Sequence, residues 1–181
     1  MRATAVLLIL LQTGIAADTS EFDQAVDVEA GRLRAPAMRI SSFAEYDLKS
    51  MTFAIEIEAE KDQMEKAQEF ERKIRAQILP LLQEWCENST GGQGTLLIEP
   101  KVTKFRIIGG GKRFWGGSIA GDSFIDMYLK LSDSVTNEPI ANVRIYRNVN
   151  ARSGAWTFGK TDKQLDDFIV DVIHQYLSIN Y

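Results

Sequence analysis

Hydrophobic and polar residues alternate between Met51 and Ala59, in the stretch MTFAIEIEA. A period of two residues is typical of a β-strand with one face buried. The pattern therefore predicts a strand over 51–59 whose apolar side chains point into a core. The polar side of the same alternation would place Glu56, Glu58 and Glu60 on one strand face.

After residue 60 the apolar residues recur every three or four positions, which is the period of an amphipathic helix. Segment 61–89 is therefore predicted to be a helix that begins with a capping box of Asp62 and Glu65. Pro80 removes one backbone hydrogen bond, so it is predicted to kink or split the helix. The predicted buried stripe consists of Ala67, Phe70, Ile74, Ile78, Leu81 and Trp85.

Three strand patterns follow. Segment 95–108 is rich in β-branched and aromatic residues, and Pro100 is predicted to mark a bulge or a change of register. Segments 123–131 and 140–149 alternate, and a polar turn between them predicts an antiparallel hairpin. The inner face of the hairpin is predicted to hold Ile125, Met127, Leu129, Leu131, Ala141, Val143 and Ile145.

The last segment, 161–181, has a helical period again. Thr161 and Gln164 are predicted to form a capping box at its start. Its predicted buried stripe consists of Leu165, Phe168, Ile169, Val172, Ile173, Tyr176 and Leu177. His174, the single histidine, falls on the opposite side of that helix, near Asp171.

The order of these elements predicts an α+β fold. Strand, helix, three strands and helix (β-α-β-β-β-α) fit a two-layer sandwich, with a mostly antiparallel sheet covered on one face by two helices. The chain of 181 residues suits one such domain. We expect the domain to span 38–181, after a loosely ordered lead-in over 18–37.

The first residues have the pattern of a secretory signal peptide. Arg2 precedes a short apolar run, and small residues follow at the expected cleavage position, so residues 1–17 are predicted to be removed. The run is too short to span a bilayer. Cys86 is the single cysteine, and it is expected to be a partly buried free thiol, with an intermolecular disulfide as the alternative. A chain without paired cysteines fits a bacterial periplasm or cell exterior.

The net charge and the lack of catalytic or metal-binding motifs exclude several classes of function. A net charge of −4 argues against nucleic acid as the partner. No cofactor and no metal site is predicted, because one His and one Cys do not supply the usual zinc ligands. The absence of a catalytic constellation favours a non-enzymatic protein. The alternative is a hydrolase or metal-dependent enzyme that uses Glu56, Glu58 or Asp126.

The stretch 107–143, IIGGGKRFWGGSIAGDSFIDMYLKLSDSVTNEPIANV, carries a family resemblance. A strand ends in a glycine-rich segment with a central Arg, and Ala120-Gly121 leads into a strand that ends in Asp133. This order resembles an uncharacterised family of bacterial envelope proteins, many of them lipoproteins, known as a domain of unknown function. The resemblance implies an envelope location and no particular activity. This chain lacks the acylated Cys of the lipoprotein members.

The glycine-rich loop 109–121 is the candidate contact site. It is not a phosphate-binding loop, because the required Lys is missing and a strand, rather than a helix, follows. Lys112 and Arg113 favour an anionic surface, and Phe114 and Trp115 can bury apolar area at a membrane or in a partner pocket. The loop would then contact an envelope protein or an anionic membrane. The alternative is a simple connector in which Trp115 folds back over the sheet.

Overall fold

The computed structural model describes the backbone of residues 25–27, 33–108, 122–149 and 160–181, and the side chains within 33–108, 122–148 and 165–181. The predictions for the signal peptide and the glycine-rich loop lie outside these residues, and the capping box of Thr161 and Gln164 involves side chains outside the described set. In chain order the elements are β1 (Ala25–Asp27), a 3-10 turn (Ile40–Ser42), β2 (Glu45–Leu48), β3 (Thr52–Phe53), α1 (Ile55–Glu58), α2 (Lys61–Asn88), β4 (Thr95–Arg106), β5 (Ser123–Asp133), β6 (Pro139–Val149) and α3 (Lys160–Ile179).

The strands form one sheet in the order β1-β6-β5-β4-β2, and β3 also pairs with β4. The central strand β5 is antiparallel to both of its long neighbours, β4 and β6, whereas the short strands β1, β2 and β3 run parallel to their partners. Both long helices contribute to the same buried core as the sheet. The predicted α+β sandwich with a mostly antiparallel sheet is confirmed. Strand β1 lies within the segment interpreted as a lead-in.

Helix α2 buries the stripe that its sequence predicts, with one difference. Leu82 is in the core and Leu81 is only partly buried. The helix is continuous through Pro80, so it is not split there. The capping box is wrong: the N-cap is Glu60 and makes no side-chain cap. Its backbone oxygen already accepts hydrogen bonds from Gln63 and Met64, so Asp62 lies inside the first turn.

The predicted strand over 51–59 is also wrong beyond its start. Only Thr52 and Phe53 pair with β4, and the chain then turns into α1. The last bond to the sheet runs from the Ala54 amide to the Val102 carbonyl, and the register of β4 shifts immediately after Val102. The following residues therefore lose their strand partner and close a helical turn instead. Strand β2 was missed altogether.

The register shift of β4 lies between Val102 and Lys104, not at Pro100 as predicted. Pro100 pairs with Leu129 of β5 and lies between the part of β4 that pairs with β2 and the part that pairs with β3. A residue without an amide proton is tolerated there, because no strand residue on that side faces it.

The β5–β6 hairpin is confirmed, with its inner-face residues in the core. In the turn, the Asp133 carboxylate accepts hydrogen bonds from the amides of Val135 (2.7 Å) and Thr136 (3.1 Å). Asn137 has a φ of 57°, a left-handed conformation that Asn tolerates better than most residues.

Helix α3 docks through its predicted stripe: five of its members are buried, and Phe168 and Val172 are partly buried against the core. Asp166 of this helix is also buried, and the Lys73 ammonium of α2 donates to its carboxylate at 2.9 Å. This ion pair ties the two helices together. Cys86 is exposed, contrary to the expected partial burial.

Candidate functional site

The sheet face opposite the helices carries the candidate site, and we call it the open face. Its side chains alternate with the core residues of the three long strands. In the sheet register, three rows of side chains cross this face from β4 through β5 to β6. They are Glu99, Lys130 and Asn142; Lys101, Tyr128 and Arg144; and Lys104, Asp126 and Tyr146. Arg106 and Phe124 form the next pair toward the glycine-rich loop.

The open face is basic within an acidic protein. On β4, β5 and β6 it holds two carboxylates, Glu99 and Asp126, and five cationic residues: Lys101, Lys104, Arg106, Lys130 and Arg144. Strand β2 adds Glu45 and Asp47 at the end far from the loop. Residues 55–88, which contain α1 and α2, hold nine acidic and five basic residues. Positive charge is therefore concentrated on the part of the open face that β4, β5 and β6 form.

A buried ion pair fixes the centre of the open face. The Asp126 side chain is 3% exposed, and its two oxygens accept hydrogen bonds from Arg144 at 2.9 and 2.8 Å. The Arg144 guanidinium also lies 6.0 Å from the centre of the Tyr128 ring. Bidentate Arg–carboxylate geometry is the strong form of this interaction. Asp126 is thus held by a cation.

Lys101 and Lys104 differ from Lys130, the third lysine of the open face, because they have no carboxylate partner among the described residues. Lys130 is paired with Glu99 at 3.0 Å, and both side chains are largely exposed. Lys101 and Lys104 make no ion pair within the described part of the chain. Their ammonium groups are therefore available to an anion from outside.

The base of the glycine-rich loop is clamped at the same end of the sheet. The Gln63 side-chain amide exchanges two hydrogen bonds with the backbone of Ile107, at 2.9 and 3.3 Å, in the way a neighbouring strand would. Lys66 donates to the same carbonyl at 2.6 Å, and the Ile108 amide donates to the Ser123 hydroxyl at 3.0 Å. The predicted contact residues Lys112, Arg113, Phe114 and Trp115 lie outside the described residues.

Two recesses open beside these residues. The first, which we call the lysine groove, has a volume of about 650 Å³ and is lined by Lys49, Thr52, Lys101, Tyr128, Lys130 and Asn142, among others. The second, of about 570 Å³, lies along the edge of β4, where Glu56 and Glu60 face Lys104 and Arg106. Two carboxylates therefore stand at the rim of the loop end of the open face.

The acidic residues of the enzyme alternative are not brought together. Glu56 and Glu58 lie on α1 rather than on a strand, Asp126 is paired with Arg144, and Glu58 and Asp126 line neither recess. Among the described residues, no group of three or more His, Cys, Asp or Glu side chains is close enough to hold a metal ion. His174 lies on α3 and is partly buried.

The basic face could have been found in the sequence only in part. The stretch from Lys101 to Arg106 places three cations among the polar positions of one strand. Lys130 and Arg144 come from two further strands, and their place beside Lys101 depends on the register. The register shift after Val102 also brings Lys104 onto the same face.

Comparisons with known proteins give a distant structural likeness. No family model and no curated protein matches the chain. A variant of PelC from Paraburkholderia phytofirmans, described as a dodecamer, is similar with a TM-score of 0.45 and 12% identity over 81% of this chain and 95% of that one. A Xanthomonas campestris protein of family DUF330 is similar with a TM-score of 0.37 and 11% identity over 78% of this chain and 96% of that one. At these scores neither likeness assigns the chain to a family, so the resemblance of 107–143 stays a prediction.

Among the helices that the structure describes, none combines the length and the hydropathy needed to cross a bilayer.

Proposed function

We propose that this chain is a non-enzymatic binding module of the bacterial envelope, periplasmic or secreted, and that the loop end of its open face docks on an anionic membrane surface. The observation that carries the proposal is the concentration of cations on one face of an acidic protein. Lys104 and Arg106 lie on that face, and Lys104 has no ion pair with the described residues. The signal-peptide pattern supports the location.

The loop adds to this surface by its position in the chain. It leaves the sheet just after Arg106 and returns at Ser123, so its ends lie beside the basic part of the open face. Lys112 and Arg113 extend the positive charge, and Phe114 and Trp115 supply aromatic side chains of the kind that lie at membrane interfaces. The Gln63 clamp holds the backbone of Ile107, two residues before the loop begins.

The magnitude of the electrostatic part follows from the charges. Each Lys or Arg near an anionic leaflet contributes about 1 kcal/mol at physiological salt. Lys104→Glu removes one attraction and adds one repulsion, which costs about 2 kcal/mol, or roughly a thirtyfold fall in the partition coefficient. Arg72→Glu changes the net charge by the same amount at an exposed position of α2, nine residues beyond the Gln63 clamp, so it serves as the matched control.

Flotation with phospholipid vesicles tests the proposal. We expect the protein to float with vesicles that contain phosphatidylglycerol and to remain behind with neutral vesicles. Lys104→Glu and Arg113→Glu should each weaken flotation, while Arg72→Glu should match the wild type. Equal flotation of all three variants, or no flotation of the wild type with anionic vesicles at low salt, would contradict the proposal.

A further inference from the structure

The lysine groove is a second recess of the open face that membrane docking does not use. It lies where the short strand β3 joins β4, and its charged lining consists of one carboxylate, Glu99, and three ammonium groups, Lys49, Lys101 and Lys130. Thr52 lies beside Lys101 in the register on one side, and Tyr128 lies beside Lys101 on the other. Since neighbouring strands are about 4.8 Å apart, the row from β3 to β6 crosses roughly 14 Å of the sheet.

The charges of the groove favour an anion at its middle. Lys49 is paired with Asp47 at 2.5 Å and Lys130 with Glu99 at 3.0 Å, and all four side chains are between 40% and 49% exposed. Exposed pairs of this kind are weak, so both lysines can turn to an incoming anion. Lys101 has no ion pair among the residues that the structure describes. Its charge is the one that a bound anion would neutralise.

The remaining lining suits a ligand rich in hydroxyl groups. Thr52 offers a hydroxyl, and Asn142 offers an amide that can donate and accept at once. The Tyr128 ring supplies a single flat face, and single-stranded nucleic acids use several such rings. A free metal cation would meet three ammonium groups. We infer that the lysine groove is a binding site for an anionic sugar, whose carboxylate or phosphate contacts Lys101 while its hydroxyls contact Thr52 and Asn142.

Isothermal titration calorimetry with soluble sugars tests this inference separately from membrane docking. The probes are trigalacturonate for the carboxylate, glucose 6-phosphate for the phosphate, and maltotriose as the neutral sugar. We expect saturable binding of at least one anionic probe and at least tenfold weaker binding of maltotriose. The stronger of the two anionic probes identifies the source of the charge.

Variants locate the site. Lys101→Glu should weaken the anionic sugar at least tenfold, whereas the matched charge reversal Lys61→Glu should leave its affinity within twofold of the wild type. Amide chemical shifts of the wild type provide a second readout that needs no variant. The largest changes on titration should map to Lys101, Tyr128 and Asn142.

Several results would overturn the inference: no saturable binding of either anionic probe to the wild type, equal affinity for maltotriose, an equal loss in both lysine variants, or shift changes confined to other surfaces. Vesicle flotation that persists in the face of any of these results would leave the proposed function standing and remove only the sugar site.

Discussion

Removal of the arginine from the Asp126–Arg144 pair is the sharpest perturbation of the open face. Arg144→Met keeps an unbranched stem in place of the arginine methylenes and deletes both hydrogen bonds to the carboxylate. The Asp126 side chain, 3% exposed, would then be a buried charge without its cation. We therefore expect this one substitution to destabilise the whole domain, although it lies on the sheet face that carries the binding site.

The magnitude follows from the burial of the two partners. Breaking a buried pair by removing one partner costs about 3–5 kcal/mol, because the remaining charge loses its compensation. Arg144 keeps 31% of its side chain in solvent, so water can partly replace it, and the low end of that range applies. We expect a loss of about 3 kcal/mol from the free energy of unfolding. Asp126→Leu combined with Arg144→Met should cost less than Arg144→Met alone, since no charge stays buried.

Urea unfolding followed by circular dichroism measures this loss. With an m-value of about 2 kcal/mol per molar urea, a loss of 3 kcal/mol lowers the midpoint by about 1.5 M. Lys130→Met, which removes the exposed partner of Glu99, is the control and should cost no more than about 1 kcal/mol. An Arg144→Met midpoint within about 0.25 M of the wild type, or a double variant less stable than Arg144→Met, would show that Arg144 does not stabilise the domain by compensating the Asp126 charge.

Three further predictions concern the helices. Burial raises the pKa of the Asp166 carboxyl, against the opposing effect of Lys73, so the folded protein holds this proton more tightly than the unfolded chain. The free energy of unfolding should therefore fall as the pH rises from about 3.9 through the raised pKa. Urea unfolding at several pH values measures this fall, and Asp166→Asn should not show the part of it that comes from Asp166. The buried Tyr176 hydroxyl has no hydrogen-bond partner among the described residues, so Tyr176→Phe should leave the thermal midpoint unchanged or raise it, and a clear fall would contradict this expectation. Cys86 is exposed, so it should react with a thiol reagent in the native state as fast as in urea; protection would place the thiol in a contact.

The long elements were predictable because one physical signal dominates each of them. Helix α3 has an almost unbroken apolar stripe, and burial of that stripe against the sheet outweighs any local preference. Burial of an apolar stripe also dominates in α2, and the helix remains continuous at Pro80. The turn at Asp133 was predictable because short polar side chains bond their own backbone.

The strand prediction for segment 51–59 was wrong because of a feature that lies elsewhere in the chain. Its alternation fits a strand, but a strand needs a partner, and β4 changes register after Val102. No local pattern in 51–59 reports that shift. Glu56 and Glu58 consequently lie on a helical turn. The hypothesis of an enzyme had placed them on one face of a strand, and that face does not exist.

The candidate site was predictable only from its loop. Lys112 to Trp115 attract notice as a cluster in the sequence, whereas the cations of the open face are distributed over β4, β5 and β6. Strand pairing brings Lys101, Lys130 and Arg144 onto one face, and pairing depends on contacts between distant residues. A single sequence therefore shows these charges without showing that they lie together.

Lysine footprinting on membranes locates the docking face in the wild-type protein without any substitution. The protein is acetylated with and without vesicles that contain phosphatidylglycerol, and the modification of each lysine is measured by mass spectrometry. We predict that vesicles protect Lys104 and Lys112 most, and that Lys73, which lies between α2 and α3, is modified equally in both conditions. Protection of Lys73 with Lys104 unprotected would place the membrane on the helical side and contradict the proposed docking of the open face.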